Sequence, residues 1–587
     1  MPTPTPDISG PPSTRNTGQI PGLLGLGLLI FALWMAIHPY LGIIHDGGLY
    51  TLLAMARLYP ALGHDFFVLN GVQDHYTLFT PLYAAAIRLL GLDLAAALVV
   101  LATQAVFFCA AWRLARRLTS ADKALLGLGL LVVLPSWYGA NMALYHMEMF
   151  PTPREPAETF VLLGMGFALT SQHRAAAACL LAAALLHPII AGAGILFWLV
   201  LEFALPHPRR ASLVGLGCTA LGVLVAMLPR SPLPHFDPDW LNDLVHRQTF
   251  LFPTLWSTLD WARVLPGLAT LLAGACGARS PLLRRLCRAS VVTVLLGLAL
   301  AVIGGDLLHL ALVTQMQMWR WLWLSGVLSA LVLPVIVLDL WDTSMAGRAG
   351  ALALVVCWLA SQPSAFDWSH LATQLQATPA TGSHFAARMG QLRTLASNAP
   401  LCAMLLILVW QAARSTKNGK ALIALGITAC VIMLPYSWAT WTRAGYPQAA
   451  ATQFESWRDL IPEDAEVLWP DSPPLALWYS LRRASWFSPV QMAGIVFSRR
   501  EWETGQPREN AIMKYLPLLE GLIGGAPAKH GETPDPQWVV DGICHAGVGF
   551  FASWRDLGPS PYPVLTPVHP STGRPALMRL YHCDVDP

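Results

Sequence analysis

Long apolar runs separated by short polar connections repeat along the chain between residues 21 and 440. A helix needs about 17–25 apolar residues to cross a hydrocarbon core about 30 Å thick, and on that criterion the pattern predicts about thirteen membrane-spanning helices. The predicted spans lie near residues 21–44, 94–115, 124–141, 157–171, 175–187, 188–204, 211–228, 262–277, 289–304, 319–340, 347–362, 399–413 and 421–438. The predicted fold class is therefore a polytopic α-helical membrane protein. Residues 1–20, which are polar and rich in Pro and Thr, are predicted to be a disordered tail before a retained first helix.

The basic residues of this region fall in alternate connections between the predicted spans. They are Arg113, Arg116, Arg117 and Lys123; Arg174; Arg209 and Arg210; Arg279, Arg284, Arg285 and Arg288; Arg348; and Arg414, Lys417 and Lys420. Because Lys and Arg are enriched in cytoplasmic loops, all these connections and the N-terminus are predicted to be cytoplasmic. An odd number of spans then places residues 441–587 on the opposite, extracytoplasmic side.

The amino-acid composition also agrees with a membrane protein. Hydrophobic residues make up 55% of the 587 residues, charged residues only 12%, and the mean hydropathy is +0.50. An ordinary soluble domain carries about 25% charged residues, so that class is excluded. A net charge of +3 does not indicate a nucleic-acid partner, and none is predicted.

Residues 441–587 differ in composition from the rest, being charged and rich in Pro. The short runs "AEVLWP", "QWVVDG" and "ALMRLYHC" predict strands, and "RENAIMKYLPLLEGLIGG" predicts a helix. We therefore expect a small α/β domain, divided from a transmembrane domain at 21–440. Of ten cysteines, seven lie in predicted spans, Cys287 lies in a predicted cytoplasmic loop, and only Cys544 and Cys583 lie in this domain. An oxidising compartment permits a disulfide between those two.

The first extracytoplasmic loop, residues 45–93, is long and carries most of the polar residues of interest. Its stretches 49–62 and 79–91 have helical apolar spacing but are too short or too interrupted to span, which predicts helices lying on the membrane surface. The glycines at 47 and 48 are expected to turn the backbone sharply into the first of these helices. The polar candidates of this loop are His45, Asp46, Asp65, Asp74 and His75.

Further candidates lie at the same predicted face, at the ends of later spans. They are Arg154, Glu155, Glu158, His187, Asp306 and Arg320. Charges inside a span cost about 2.5–3.5 kcal/mol each on insertion scales, so charges at span ends indicate a polar cavity. Purely structural roles stay open for several of them. The 154–158 cluster could be a solvated helix start, His187 could be a hydrogen-bonded structural residue, and Arg320 could extend its side chain to the membrane interface.

These residue types suit one kind of chemistry. A carboxylate can act as a general base on a hydroxyl. A guanidinium holds phosphate oxygens with two parallel N–H donors. The combination at a membrane surface favours transfer from an amphiphilic phosphate ester to a hydroxyl acceptor.

The segments "HDGGLYTLLAMA" (45–56), "HDFF" (64–67) with "YTLFTPLYAAAIRLLGL" (76–92), and "RLARRL" (113–118) give the chain its resemblance to a known family. In this order of helix, acidic loop and basic turn, it resembles the GT-C superfamily of integral membrane glycosyltransferases. The segments "TPREPAE" (152–158) with "HP" (187–188), and "QMQMWRW" (315–321), resemble features of bacterial GT-C-like proteins with a soluble C-terminal domain. The resemblance implies that Asp46 is the catalytic base or an acceptor-binding group and that the donor is a lipid-linked sugar. The paired acidic residues usual at this position are here His45–Asp46, which leaves use of a divalent metal open.

The sequence thus predicts a membrane glycosyltransferase that moves a sugar from a polyprenyl-phosphate-type donor to a glycan, lipid or protein acceptor, with inversion. Asp46 is the predicted catalytic residue, and the other polar candidates are predicted to contact substrate. The predicted location is the bacterial inner (plasma) membrane, with the C-terminal domain in the periplasm. Two alternatives remain: a flippase of lipid-linked saccharides, and a non-catalytic scaffold of GT-C-like fold.

Overall fold

The computed structural model describes residues 20–210, 234–362, 394–395, 398–444, 453–523, 526–527, 534–569 and 574–583. The tail before residue 20 and the predicted span at 211–228 lie outside these residues. Each of the other predicted spans contains a helix. These helices are Ile20–Ile37, Leu92–Leu118, Ala121–Val133, Arg154–Ala168, His173–Leu186, Pro188–Leu199, Thr258–Gly277, Pro281–Leu300, Leu322–Trp341, Met345–Ala360, Ala399–Ala413 and Gly419–Ala444.

Within the described residues, five helices are long and apolar enough to cross a membrane. They are Ile20–Ile37, Leu92–Leu118, Pro281–Leu307, Ala311–Trp341 and Gly419–Thr440. The third range includes an irregular helical turn after Leu300, and the fourth joins the Ala311–Met316 and Leu322–Trp341 helices through a turn at Gln317. Several other helices are apolar but shorter. The chain is thus a helical protein with the character of a membrane protein, and the full set of thirteen spans stays a prediction.

The Leu322–Trp341 helix lies at the centre of the largest apolar core, and most of its residues are buried. Trp319, just before it, and Trp323, in its first turn, have 1% and 0% of their surface exposed. This rigid centre fixes the segment around residue 320, which matters for the site described below.

Cys287 was predicted to lie in a cytoplasmic loop, and this is wrong. It is fully buried within the Pro281–Leu300 helix, which begins eight residues before the predicted span. The basic residues at the start of this helix hid it from the apolar pattern. Two of them donate to backbone carbonyls of the preceding turn and helix: Arg284 to Ala278 O at 3.0 Å, and Arg288 to Ala275 O at 3.0 Å. Cations at a helix C-terminus are favourable because unpaired carbonyls point towards them.

The first loop contains the helices Asp46–Ala56, Phe66–Asn70 and Phe79–Leu90. The first and last of these overlap the two helices predicted at 49–62 and 79–91, and their place on the membrane surface stays a prediction. Further along the chain, the helices Pro238–Arg247 and Ala311–Met316 lie between the longer helices.

The C-terminal segment contains a four-stranded sheet with helices packed against it. The strand order is Ala484–Ser485, Glu466–Leu468, Phe550–Ser553, Arg579–His582; the first two pairings are parallel and the last is antiparallel. Its helices are Glu455–Arg458, Arg499–Ile512, Leu516–Leu519 and Pro536–His545. Cys544 and Cys583 are joined in a disulfide, the pairing predicted from the sequence.

The run "QWVVDG" was predicted to be a strand, but it forms the first part of the Pro536–His545 helix. Asp535 caps this helix by accepting from Gln537 N at 3.0 Å, and Pro536 occupies its first position. An Asp followed by Pro is a typical helix start. Those start signals outweigh the alternation of the short apolar run.

The C-terminal segment is bonded to the first loop through Asp65, a residue with no exposed surface. Its Oδ2 accepts from Trp478 Nε1 at 2.8 Å and from Ser485 N at 2.9 Å. Its Oδ1 accepts from Gln491 Nε2 at 2.7 Å and from Phe67 N at 2.9 Å. Three of these four donors belong to the C-terminal segment, so one carboxylate fastens the two parts together.

Candidate functional site

A cavity of about 400 Å³ lies between the first loop, the helices that follow it and the C-terminal segment. Its acidic, basic and histidine lining residues are Asp46, Arg154, His187 and Arg320. These four positions are far apart in the chain and were all predicted from the sequence as site residues. Most of the remaining lining is apolar, including Leu49, Leu53, Phe67, Ile189, Leu312 and Phe497. A cavity of this kind suits an amphiphilic ligand with one charged group.

Asp46 is held by an arginine that is almost completely buried. Arg154 Nη1 donates to Asp46 Oδ2 at 2.6 Å, and the Arg154 side chain is 2% exposed whereas that of Asp46 is 30% exposed. The same guanidinium bonds to Glu148 Oε1 through Nε at 2.7 Å and through Nη2 at 2.5 Å. Arg154 therefore bridges two carboxylates, one at the cavity surface and one behind it.

Asp46 is the first residue of the Asp46–Ala56 helix, and the sharp turn that precedes it is made by His45. His45 has φ +50°, a backbone conformation that a side chain disfavours. Gly47 and Gly48 were expected to make this turn, but both lie inside the helix. A Cβ on Gly47 would lie 3.2 Å from Pro151 Cδ, so this glycine serves the close approach of the segment before Arg154.

The carboxylate of Asp46 is also in contact with His45, whose Nδ1 lies 3.3 Å from Asp46 Oδ1. Burial raises the pKa of Asp46, but Arg154 and His45 outweigh it and hold this pKa well below its usual range. The hydrogen bond to Asp46 raises the pKa of His45. For Glu148, burial raises the pKa and Arg154 only partly offsets the rise. Asp46 is therefore ionised throughout the physiological range.

Arg320 lines the other side of the cavity and has a different kind of partner. Its Nε donates to the amide oxygen of Gln317 at 2.6 Å. Within the part of the chain that the structure describes, no carboxylate lies within ion-pairing distance of Arg320. Its positive charge is thus available to a ligand. Gln317 is 2% exposed and adopts a left-handed backbone (φ +42°), so the chain is strained where it positions this arginine.

His187 separates the His173–Leu186 and Pro188–Leu199 helices. Its Nδ1 accepts from Ile190 N at 3.3 Å, which caps the second helix. This bond agrees with the structural role left open in the sequence analysis. His187 also lines the cavity, and Nε2 is its remaining hydrogen-bonding atom.

Four candidates from the first loop, His45, Asp65, Asp74 and His75, do not line the cavity, although His45 contacts Asp46. Asp65 is the buried cross-link to the C-terminal segment described above, so we correct its assignment from substrate contact to structural anchor. Asp74 forms an ion pair with Arg57 (2.6 Å) and accepts from the Thr80 hydroxyl. His75 is exposed on the surface. Their neighbours Gln73, Tyr76 and Thr77 line the cavity instead.

The remaining acidic candidates are also absent from the lining. Glu155 and Glu158 are 3% and 0% exposed, and neither oxygen of Glu158 has a hydrogen-bond partner among the described residues. Asp306 accepts from Thr254 N at 2.7 Å and so fixes a loop. Of the acidic candidates, only Asp46 faces the cavity.

The sequence analysis missed Glu148 and Gln317, which hold the two arginines. The C-terminal segment contributes Ala493 and Phe497 to the lining. A signal for Glu148 was present. It is an isolated carboxylate in the apolar stretch "HMEMF", six residues before the isolated Arg154. Buried opposite charges of this kind require one another.

Among the described residues, no group of three or more His, Cys, Asp or Glu side chains could hold a metal ion. Comparison of the chain with known protein families, curated proteins and solved structures finds no match.

Proposed function

We propose that this protein is a membrane glycosyltransferase that moves a sugar from a polyprenyl-phosphate-type donor to a hydroxyl acceptor at the extracytoplasmic face. The observation that carries this proposal is the meeting of Asp46, Arg154 and Arg320 in one largely apolar cavity. A phosphate group needs the cation, a hydroxyl acceptor needs the carboxylate, and a lipid chain needs the apolar walls.

In the proposed reaction, the acceptor oxygen attacks the anomeric carbon of the donor sugar. The bond between that carbon and the phosphate oxygen breaks, and the configuration at the anomeric carbon is inverted. The acceptor proton passes to the Asp46 carboxylate, and the polyprenyl phosphate leaves as an anion beside Arg320. A carboxylate that is always ionised suffices, because the acceptor hydroxyl becomes strongly acidic as its oxygen bonds to carbon.

The two arginines suit different tasks in this scheme. Arg154 is already neutralised by Asp46 and Glu148, so it orients the base. Among the described residues, Arg320 bonds to the neutral amide of Gln317 and lies over the Trp319 ring, and no carboxylate pairs with it, so it is the better group for the departing phosphate. A guanidinium offers such a phosphate planar N–H donors.

The test is reconstitution of the purified protein in liposomes with polyprenyl-phosphate sugars carrying a radioactive sugar, together with candidate acceptors. Transfer of label to an acceptor supports the proposal. Movement of the intact labelled donor between leaflets, with no transfer to any acceptor, would instead identify a flippase.

A further inference from the structure

Arg154 and Arg320 both reach the cavity, yet their surroundings differ in charge. Two carboxylates bond to Arg154, and a neutral amide bonds to Arg320. The group responsible for this difference is Glu148, which is 1% exposed and does not line the cavity. Because Glu148 bonds to Arg154, any effect of Glu148 on a ligand passes through Arg154.

Glu148 is itself firmly placed. One of its carboxylate oxygens accepts from the Thr152 hydroxyl, and its backbone oxygen accepts from Gln104 Nε2 at 2.7 Å. The preceding residue, Met147, is fully buried and adopts φ +58°, a conformation that only a constrained environment maintains. The backbone is therefore bent to present this carboxylate to Arg154.

We propose that Glu148 is a positioning residue that commits Arg154 to Asp46, so that recognition of an anionic ligand falls on Arg320. The proposal rests on the proposed function for the identity of that ligand, a polyprenyl phosphate. It goes beyond that function by assigning separate tasks to two arginines in one cavity and by naming the residue that separates them.

The first test measures the binding of polyprenyl monophosphate to the purified protein. Glu148→Gln keeps the side-chain shape but removes the charge that neutralises Arg154, so the dissociation constant is expected to fall by at least about threefold. Gln317→Glu would place a carboxylate on Arg320, and binding is expected to weaken by at least about threefold. The matched control is Glu155→Gln, a buried glutamate next to Arg154 in sequence but without a bond to it.

Equal effects of Glu148→Gln and Glu155→Gln would overturn the proposal, as would unchanged or weaker binding in Glu148→Gln. In a transfer assay, Glu148→Gln is expected to lower kcat, because Arg154 no longer holds Asp46 in a single place. The KM for the donor is expected to fall. A residue that merely supports the fold would lower the fraction of active protein, and the KM for the donor would not fall.

The second test uses thermal unfolding and needs no ligand. In Asp46→Asn, Arg154 keeps Glu148, and in Glu148→Gln it keeps Asp46. Only the double variant leaves a buried arginine with no carboxylate, so its loss in apparent Tm should exceed the sum of the single losses. Additive losses would overturn the proposal. If wild-type protein binds no polyprenyl phosphate, the proposed function fails. The comparison of the single and double variants still decides whether Glu148 and Asp46 share Arg154.

Discussion

Replacing Asp65 by Asn should loosen the C-terminal segment from the first loop. The carboxylate accepts four N–H bonds while fully buried, two at each oxygen. Asn keeps one oxygen and turns an NH2 group towards the other two donors, so two bonds are lost whichever way the amide is placed. Bonds to a charged group contribute about 1.5–3 kcal/mol each, which gives a loss of about 3–6 kcal/mol.

The surroundings cannot easily compensate for this loss. Gln491 cannot reverse its amide without cost, because its Oε1 already accepts from Ser488 N at 2.6 Å. The other three donors are two backbone N–H groups and the indole of Trp478, none of which can become an acceptor. A loss of this size is a large part of the 5–15 kcal/mol that stabilises a typical domain.

The assay is thermal unfolding of the purified protein in detergent, followed by tryptophan fluorescence, together with limited proteolysis. Asp65→Asn should lower the apparent Tm by at least about 5 °C and release the C-terminal segment to protease sooner. The control is Asp464→Asn, an exposed aspartate in the same segment. Equal Tm values and digestion rates for the two variants would refute the role of Asp65 as an anchor.

Three further predictions concern the C-terminal segment. Burial raises the pKa of Glu501 to about 8 against 4.5 when unfolded, so the contribution of this residue to stability should be complete below pH 4.5 and be lost as the pH rises to 8. The free energy of unfolding of Glu501→Gln relative to the wild type should therefore rise across that range, and a constant difference would contradict this. Cys544 and Cys583 should resist alkylation until the protein is reduced, and labelling of both thiols beforehand would exclude the disulfide in the cell. A reporter active only in the cytoplasm and fused after residue 587 should be silent, whereas strong activity would reverse the predicted orientation.

Much of the helical architecture was predictable, because long apolar runs leave few alternatives to a helix. The predictions were wrong where charged residues, or the shortness of a run, hid the apolar spacing of a helix. The helix around Cys287 starts among arginines that are satisfied by carbonyls of the turn and helix before it, which apolar spacing cannot reveal. The short run at 537–542 fitted a strand equally well, and only the Asp–Pro start decided for a helix.

The charged side chains that line the cavity were predictable from the sequence, whereas the residues that hold them in place were less so. Asp46, Arg154, His187 and Arg320 stood out as polar residues at the ends of apolar runs, and they share one cavity. Asp65 was mistaken for a site residue. Its partners Trp478 and Gln491 lie more than 400 positions further along the chain, so the apolar pattern around Asp65 does not reveal them. Gln317 carries no charge, so neither its residue type nor its position marked it as a site residue.

The measurement that tests the central claim most directly is sugar transfer by Asp46→Asn in the reconstituted system. Asn keeps the size of the side chain but cannot take up the acceptor proton, and general bases typically contribute about 10²–10⁴-fold. We expect turnover to fall by at least about a hundredfold while the protein stays folded and still binds polyprenyl phosphate. A well-folded Asp46→Asn protein that transfers sugar at a near-normal rate would contradict the proposed role of this cavity.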